Sequence, residues 1–97
     1  MNRLYVLQRK DFPFSYQAVQ AGHSVAEFLL RGPITNWDNG TLVYLGVKDE
    51  NELKDWVWKL EIKNIPYTIF REPDIGDEIT SIATVCDGKI FKKLNLL

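Results

Sequence analysis

The heptapeptide "RLYVLQR" (Arg3 to Arg9) constrains this chain most. Read as a strand, it puts Leu4, Val6 and Gln8 on one face and Tyr5 and Leu7 on the other. A strand that is apolar on both faces must be covered on both, which calls for a sheet between two layers rather than a sheet open to water. "TLVYLGV" (Thr41 to Val47) is a second strand of the same kind, "PYTIFRE" (Pro66 to Glu72) a third and "ITSIATVC" (Ile79 to Cys86) a fourth, the last without clean alternation.

Two helices separate the first three strands. "SYQAVQAGHSVAEF" begins one of them after Pro13, with Ser15 as its expected N-cap and an end near Leu30. "KDENELKDWVWKLEIKN" is the other: Asp49 or Asn51 can cap it, Leu53, Trp56, Val57 and Leu60 recur at helical spacing, and Asn64 ends it. The order is therefore β-α-β-α-β-β, followed by a short, weakly helical C-terminal segment. Strands alternating with helices predict parallel pairing through right-handed crossovers, while the short turn before the last strand predicts an antiparallel member. The expectation is a three-layer α/β/α protein with a four-stranded mixed sheet, a single domain over residues 1–97.

Composition narrows the function. Apolar residues make up 45% of the chain, enough for a core, and a formal net charge of −1 argues against a broad basic footprint on nucleic acid. The lone Cys86 allows no internal disulfide, no Cys/His cluster suggests zinc, and no cofactor motif appears. Neither a signal peptide nor a membrane-spanning run is evident, so a cytoplasmic protein without membrane contact is the default.

Two polar clusters carry candidate chemistry. On the first helix, Gln20, His23 and Glu27 share a face, so Glu27 could orient His23 as a general base; the plainer alternative is a histidine bonded to its neighbours. Gly22, beside small residues Ala18, Ala21 and Ala26, reads as a device for close packing on the sheet. Past the third strand, "FREPDIGDEIT" gathers Arg71, Glu72, Asp74, Asp77, Glu78 and Thr80 where ligands of α/β sheets often bind. The alternatives are a solvated acidic turn, with Gly76 at positive φ, or a divalent-metal site on Asp74, Asp77 and Glu78. Trp56 reads as core, while Trp58 and the loop residue Trp37 read as exposed contact surface.

Taken together, "LYVLQRKDF", "AVQAGHSVAEF", "GTLVYLGVKDENEL", "IPYTIFREPD" and "EITSIATV" resemble the type II peptidyl-tRNA hydrolases over nearly the whole chain, from Arg3 to about Cys86. That family has an Arg-x-Asp after its first strand and a Gln-x-x-His on its first helix, matched here by Arg9 and Asp11 and by Gln20 and His23. The resemblance implies hydrolysis of the ester between a peptide and the terminal ribose of tRNA, without a metal or other cofactor. It implies catalytic roles for His23, Glu72 and Thr80, with water oriented by Glu72 or His23 and the carbonyl polarised by Thr80 and backbone amides. Gln20, Arg71 and Asp74 would bind substrate, and Lys10 or Lys89 would supply charge toward tRNA. The chain departs from the family pattern at Tyr16, where the family has lysine, in a shorter segment from Asp11 to Gln20 and in a more acidic loop. The alternative reading is thus an inactive member of the same fold that binds a protein or small ligand. An exposed sheet edge or Trp58 offers a surface through which a homodimer can form.

Overall fold

The computed structural model describes residues Met1–Leu97. Its elements are β1 (Arg3–Arg9), α1 (Phe14–Arg31), β2 (Leu42–Val47), α2 (Glu50–Ile62), β3 (Tyr67–Glu72) and β4 (Glu78–Cys86), with single-turn 3₁₀ helices at Pro73–Ile75 and Lys89–Phe91. The strands lie in the order β2-β1-β4-β3; β1 and β2 are parallel, and β4 runs antiparallel to both its neighbours. This is the mixed four-stranded sheet expected from the alternation of elements, with one helix on each face.

The two faces are built differently. Tyr5 and Leu7 of β1 join Leu45, Val47, Ile79 and Ile82 of the other strands against Leu53, Trp56 and Leu60 of α2. Leu4 and Val6 point the other way and meet only Ala83, Ala21 and Phe28 as buried apolar partners beneath α1. The larger apolar cluster therefore lies on the α2 side, and Trp56 is core as expected while Trp58 is exposed.

Local chemistry explains the boundaries. Asp49 caps α2, its Oδ1 accepting from the Glu52 amide at 3.0 Å, while Glu52 Oε1 accepts from the Lys48 amide at 2.9 Å. Asn64 follows the last turn at φ 55°, a left-handed position that asparagine tolerates. Ser15 is not the cap of α1: the helix starts at Phe14, Pro13 holds the N-cap position, and no side chain caps it. Gln17 fixes that end instead, donating to the carbonyls of Phe12 and Lys10 at 2.6 and 3.2 Å and tying the preceding loop to the first turn.

The C-terminal segment also differs from expectation. After Lys89–Phe91 it runs extended along the outer edge of β2, with Gly46 N–H donating to Asn95 O and Leu97 N–H to Tyr44 O, both at 3.0 Å. This covers part of a sheet edge that would otherwise present unpaired backbone groups. Trp37 is half-buried rather than a free contact surface: it packs against the cluster under α1, and its indole N–H donates to Thr41 O at 2.9 Å. No helix is long and apolar enough to cross a membrane.

Candidate functional site

The inward face of α1 is polar along most of its length. Gln17, Gln20, Ala21, Ser24 and Phe28 are its buried residues, a stripe at helical spacing in which three of five carry amides or a hydroxyl. Opposite them the sheet presents Gln8, Thr80 and Ser81, all fully buried, and Glu72, nearly so. Burying polar groups is costly unless they bond to one another, so such a layer demands partners.

A bulge in β4 supplies those of Gln20. Phe70 pairs with Ser81 and Arg71 pairs with Ile79, so Thr80 is the extra residue between them. A bulge lets two successive side chains face one side of the sheet. Here both reach Gln20: Thr80 Oγ1 donates to Gln20 Oε1 at 2.7 Å, and Ser81 Oγ donates to the Gln20 carbonyl at 3.3 Å. The bulge also accounts for the missing alternation in "ITSIATVC".

With its carbonyl oxygen held by Thr80, the Gln20 amide can present only its NH₂, and Nε2 donates to Glu72 Oε2 at 2.9 Å. The other carboxylate oxygen, Oε1, accepts from the Asp74 amide at 3.3 Å. The result is a directed relay from Thr80 through Gln20 to Glu72. The Gln20 bond, followed by the Asp74 amide and the charge of His23, outweighs partial desolvation and holds the Glu72 carboxyl below its ordinary range. Glu72 is thus an ionised, oriented carboxylate at neutral pH.

The remaining expected residues fall around this relay in different ways. His23, one turn after Gln20, is exposed; its ring lies against Phe70 with centroids 4.9 Å apart. It is not oriented by Glu27, which pairs with Arg31 at 2.9 Å. Together His23, Ala26, Glu27, Leu30, Arg31 and Phe70 line a shallow recess of about 170 Å³. Thr80 is too deeply buried to meet a substrate carbonyl, so it positions Gln20 instead. Asp74 is exposed and contributes its backbone amide, while exposed Arg71 donates to the carbonyl of Asp77 at 3.2 Å and closes the turn. Gly76 takes the positive φ expected of it, and Asp77 shares it. No three of the Asp, Glu, His and Cys side chains gather as a metal site: Asp74 and Asp77 lie in the turn, and Glu78 opens β4 with its carboxylate on Arg9. Lys10 lies elsewhere, in a cleft at the ends of β1 and β2.

Three participants were not singled out in the sequence. Ser81, Gln17 and Ser24 belong to the buried polar layer; the signal for them was the 17-20-24 spacing on α1, one position away from the 20-23-27 face. Arg9 is buried at the end of β1, its fork on both oxygens of Asp11 at 2.9 and 2.8 Å, with Nη1 also donating to Glu78 Oε1 and the Ile79 carbonyl. That pairing keeps Arg9 charged and holds Asp11 below the usual carboxylate range. Tyr16, one turn before Gln20, has its phenol pushed up by burial and by the carboxylates of Glu72, Asp74 and Glu78. It is a neutral donor beside an acidic group.

No protein-family model matches the chain, and no curated protein matches it in sequence. Among solved structures it is similar to a protein of unknown function from Agrobacterium tumefaciens str. C58, with a TM-score of 0.71 at 11% identity, over 99% of this chain and 97% of that one. That likeness defines an α/β class with a four-stranded mixed sheet.

Proposed function

We propose that the protein hydrolyses an aminoacyl ester, with the peptidyl or N-blocked aminoacyl ester of tRNA as the leading substrate. The observation that carries this reading is the Thr80–Gln20–Glu72 relay, a buried polar chain ending on one oriented carboxylate. Burying such a chain beneath α1 is a poor way to stabilise a small domain, and local departures from packing logic concentrate at functional sites. The recess beside His23, with Leu30 and Phe70 in its walls, suits the side chain of the acyl group.

In this mechanism Glu72 accepts a hydrogen bond from the attacking water and fixes its lone pair toward the ester carbonyl. His23 takes the proton that the water gives up as its oxygen bonds to the carbonyl carbon, and returns it to the ribose oxygen as the C–O bond to the ribose breaks. A carboxylate below its ordinary range is a weak base, so Glu72 contributes mainly orientation. Glu72→Gln keeps the size and removes the charge that orients the water, and should slow release by roughly 10²-fold. The test is incubation of purified protein with N-acetyl-aminoacyl-tRNA. Release that Glu72→Gln abolishes supports the proposal; no release above background, beside an active peptidyl-tRNA hydrolase working in parallel, removes it.

Tyr16 favours a second reading. A neutral phenol replaces the cation that the resemblance expects beside a polyanionic substrate, and Asp74 and Asp77 add negative charge nearby. On this reading the fold persists as a binding module for a protein or small ligand. Salt-dependent tRNA retention would favour the hydrolase; its absence would favour the module.

A further inference from the structure

We propose that a second site, the cleft at the carboxyl ends of β1 and β2, binds a phosphate group through Lys10, Lys48 and Lys93. The proposal stands independently of ester hydrolysis and uses no residue of the relay. β1 and β2 are parallel neighbours, and the helices that follow them cover opposite faces of the sheet. The chain therefore parts between the two strand ends, and such a parting is where α/β sheets form ligand crevices. The opening here is about 420 Å³, within the range of small-molecule sites.

Its walls bring together lysines from three distant parts of the sequence, with Asp11, Glu52 and Gly46. The two acids are committed elsewhere. Both Asp11 oxygens accept from Arg9, and Glu52 Oε1 accepts from the Lys48 backbone amide. By contrast Lys10, Lys48 and Lys93 make no ion pair, although Lys54 and Lys89 each do. The opening thus sets three ammonium groups without an ion pair against two carboxylates that already accept hydrogen bonds, an excess of positive charge that an anion can meet.

The backbone here is built to allow it. The Lys10 amide donates to Val47 O at 2.8 Å, and the tail that carries Lys93 is pinned by the Gly46–Asn95 bond. The Lys10 stem crosses Gly46 so closely that a Cβ there would collide with its Cδ. Glycine thus leaves a groove that aims Lys10 along the cleft. A phosphate monoester carries close to two charges and three strong acceptor oxygens, which three lysines match better than they match a carboxylate.

The test is an amide NMR titration of the full chain at constant ionic strength. Sodium phosphate and adenosine 5′-monophosphate serve as probes, with sodium chloride as control. Saturable shifts confined to Lys10, Gly46, Val47, Lys48 and Asn95 are expected. The double variant Lys48→Ala/Lys93→Ala, at exposed positions, should weaken them by roughly tenfold or more. Gly46→Ala should weaken binding by displacing Lys10. A short single-stranded RNA distinguishes the sources of phosphate: competition assigns a nucleic-acid backbone, and failure to compete while the mononucleotide binds assigns a small phosphorylated molecule. Absence of saturable shifts, shifts spread equally to Lys54, Lys59 and Lys89, or unchanged affinity in the double variant would overturn the proposal.

Discussion

At Gly22, in the middle of α1, an added Cβ would meet nothing within 4 Å, and the residue is exposed on the side away from the sheet. Close packing on the sheet, the role its small neighbours suggest, belongs to Ala21, which is fully buried one position earlier. With helical backbone and open space, the glycine only adds freedom to the unfolded chain. Gly22→Ala should therefore stabilise the protein by about 0.5–1 kcal/mol. Thermal unfolding should show a rise of roughly 2–8 °C for a domain of this size, and a fall would mean that this surface needs the missing side chain. Thr80 is the opposite case, with no exposure and one hydrogen-bond partner of its own. Thr80→Val keeps the shape and leaves Gln20 Oε1 without its donor, a loss of about 1–3 kcal/mol readable in urea unfolding.

At the scale of elements, α2 and β1 were legible because their patterns are redundant. A cap, an acidic first turn and apolar spacing agree in α2, and β1 is apolar on both faces. β4 was not, because a bulge resets the period and nothing in "EITSI" announces which residue is extra. α1 was legible as a helix but not in orientation: Gln17, Gln20 and Ser24 are buried while Phe14, Val19, Leu29 and Leu30 are exposed, so hydrophobic contrast does not mark the inward face. That ambiguity is also why Gln20 was found while Ser24 and Gln17 were not. The tail shows a third limit, since its pairing with β2 depends on a distant edge and not on local pattern. Deleting Asn95–Leu97 should free the Gly46 amide from its bond to Asn95. Its hydrogen exchange should speed up and the exposed edge should promote self-association in gel filtration. Unchanged exchange at Gly46 would show that the tail does not hold that edge.

The whole molecule divides its labour between its two faces. The α2 face holds the larger apolar cluster, and the α1 face holds a polar layer in which Thr80, Gln20 and Glu72 are bonded in a chain. The fold followed from strand and helix alternation, but the relay needed coordinates, because Gln20, Glu72 and Thr80 lie 52 and 60 residues apart in sequence. Resemblance selected these three residues; only geometry connects them, and it moves Thr80 from the substrate to a supporting position. The relay's chief effect is to hold Glu72 ionised. A group whose folded pKa is depressed contributes stability above its unfolded value and loses it as pH falls through the folded one. Acidification through and below the ordinary glutamate value of 4.5 should therefore erode part of the protein's stability. The direct measurement is a pH titration of the Glu72 carboxyl carbon by NMR, in the wild type and in Gln20→Met. The wild-type midpoint should lie below 4.5 and move up when the amide is lost. A wild-type midpoint at or above 4.5, or one indifferent to Gln20→Met, would contradict it.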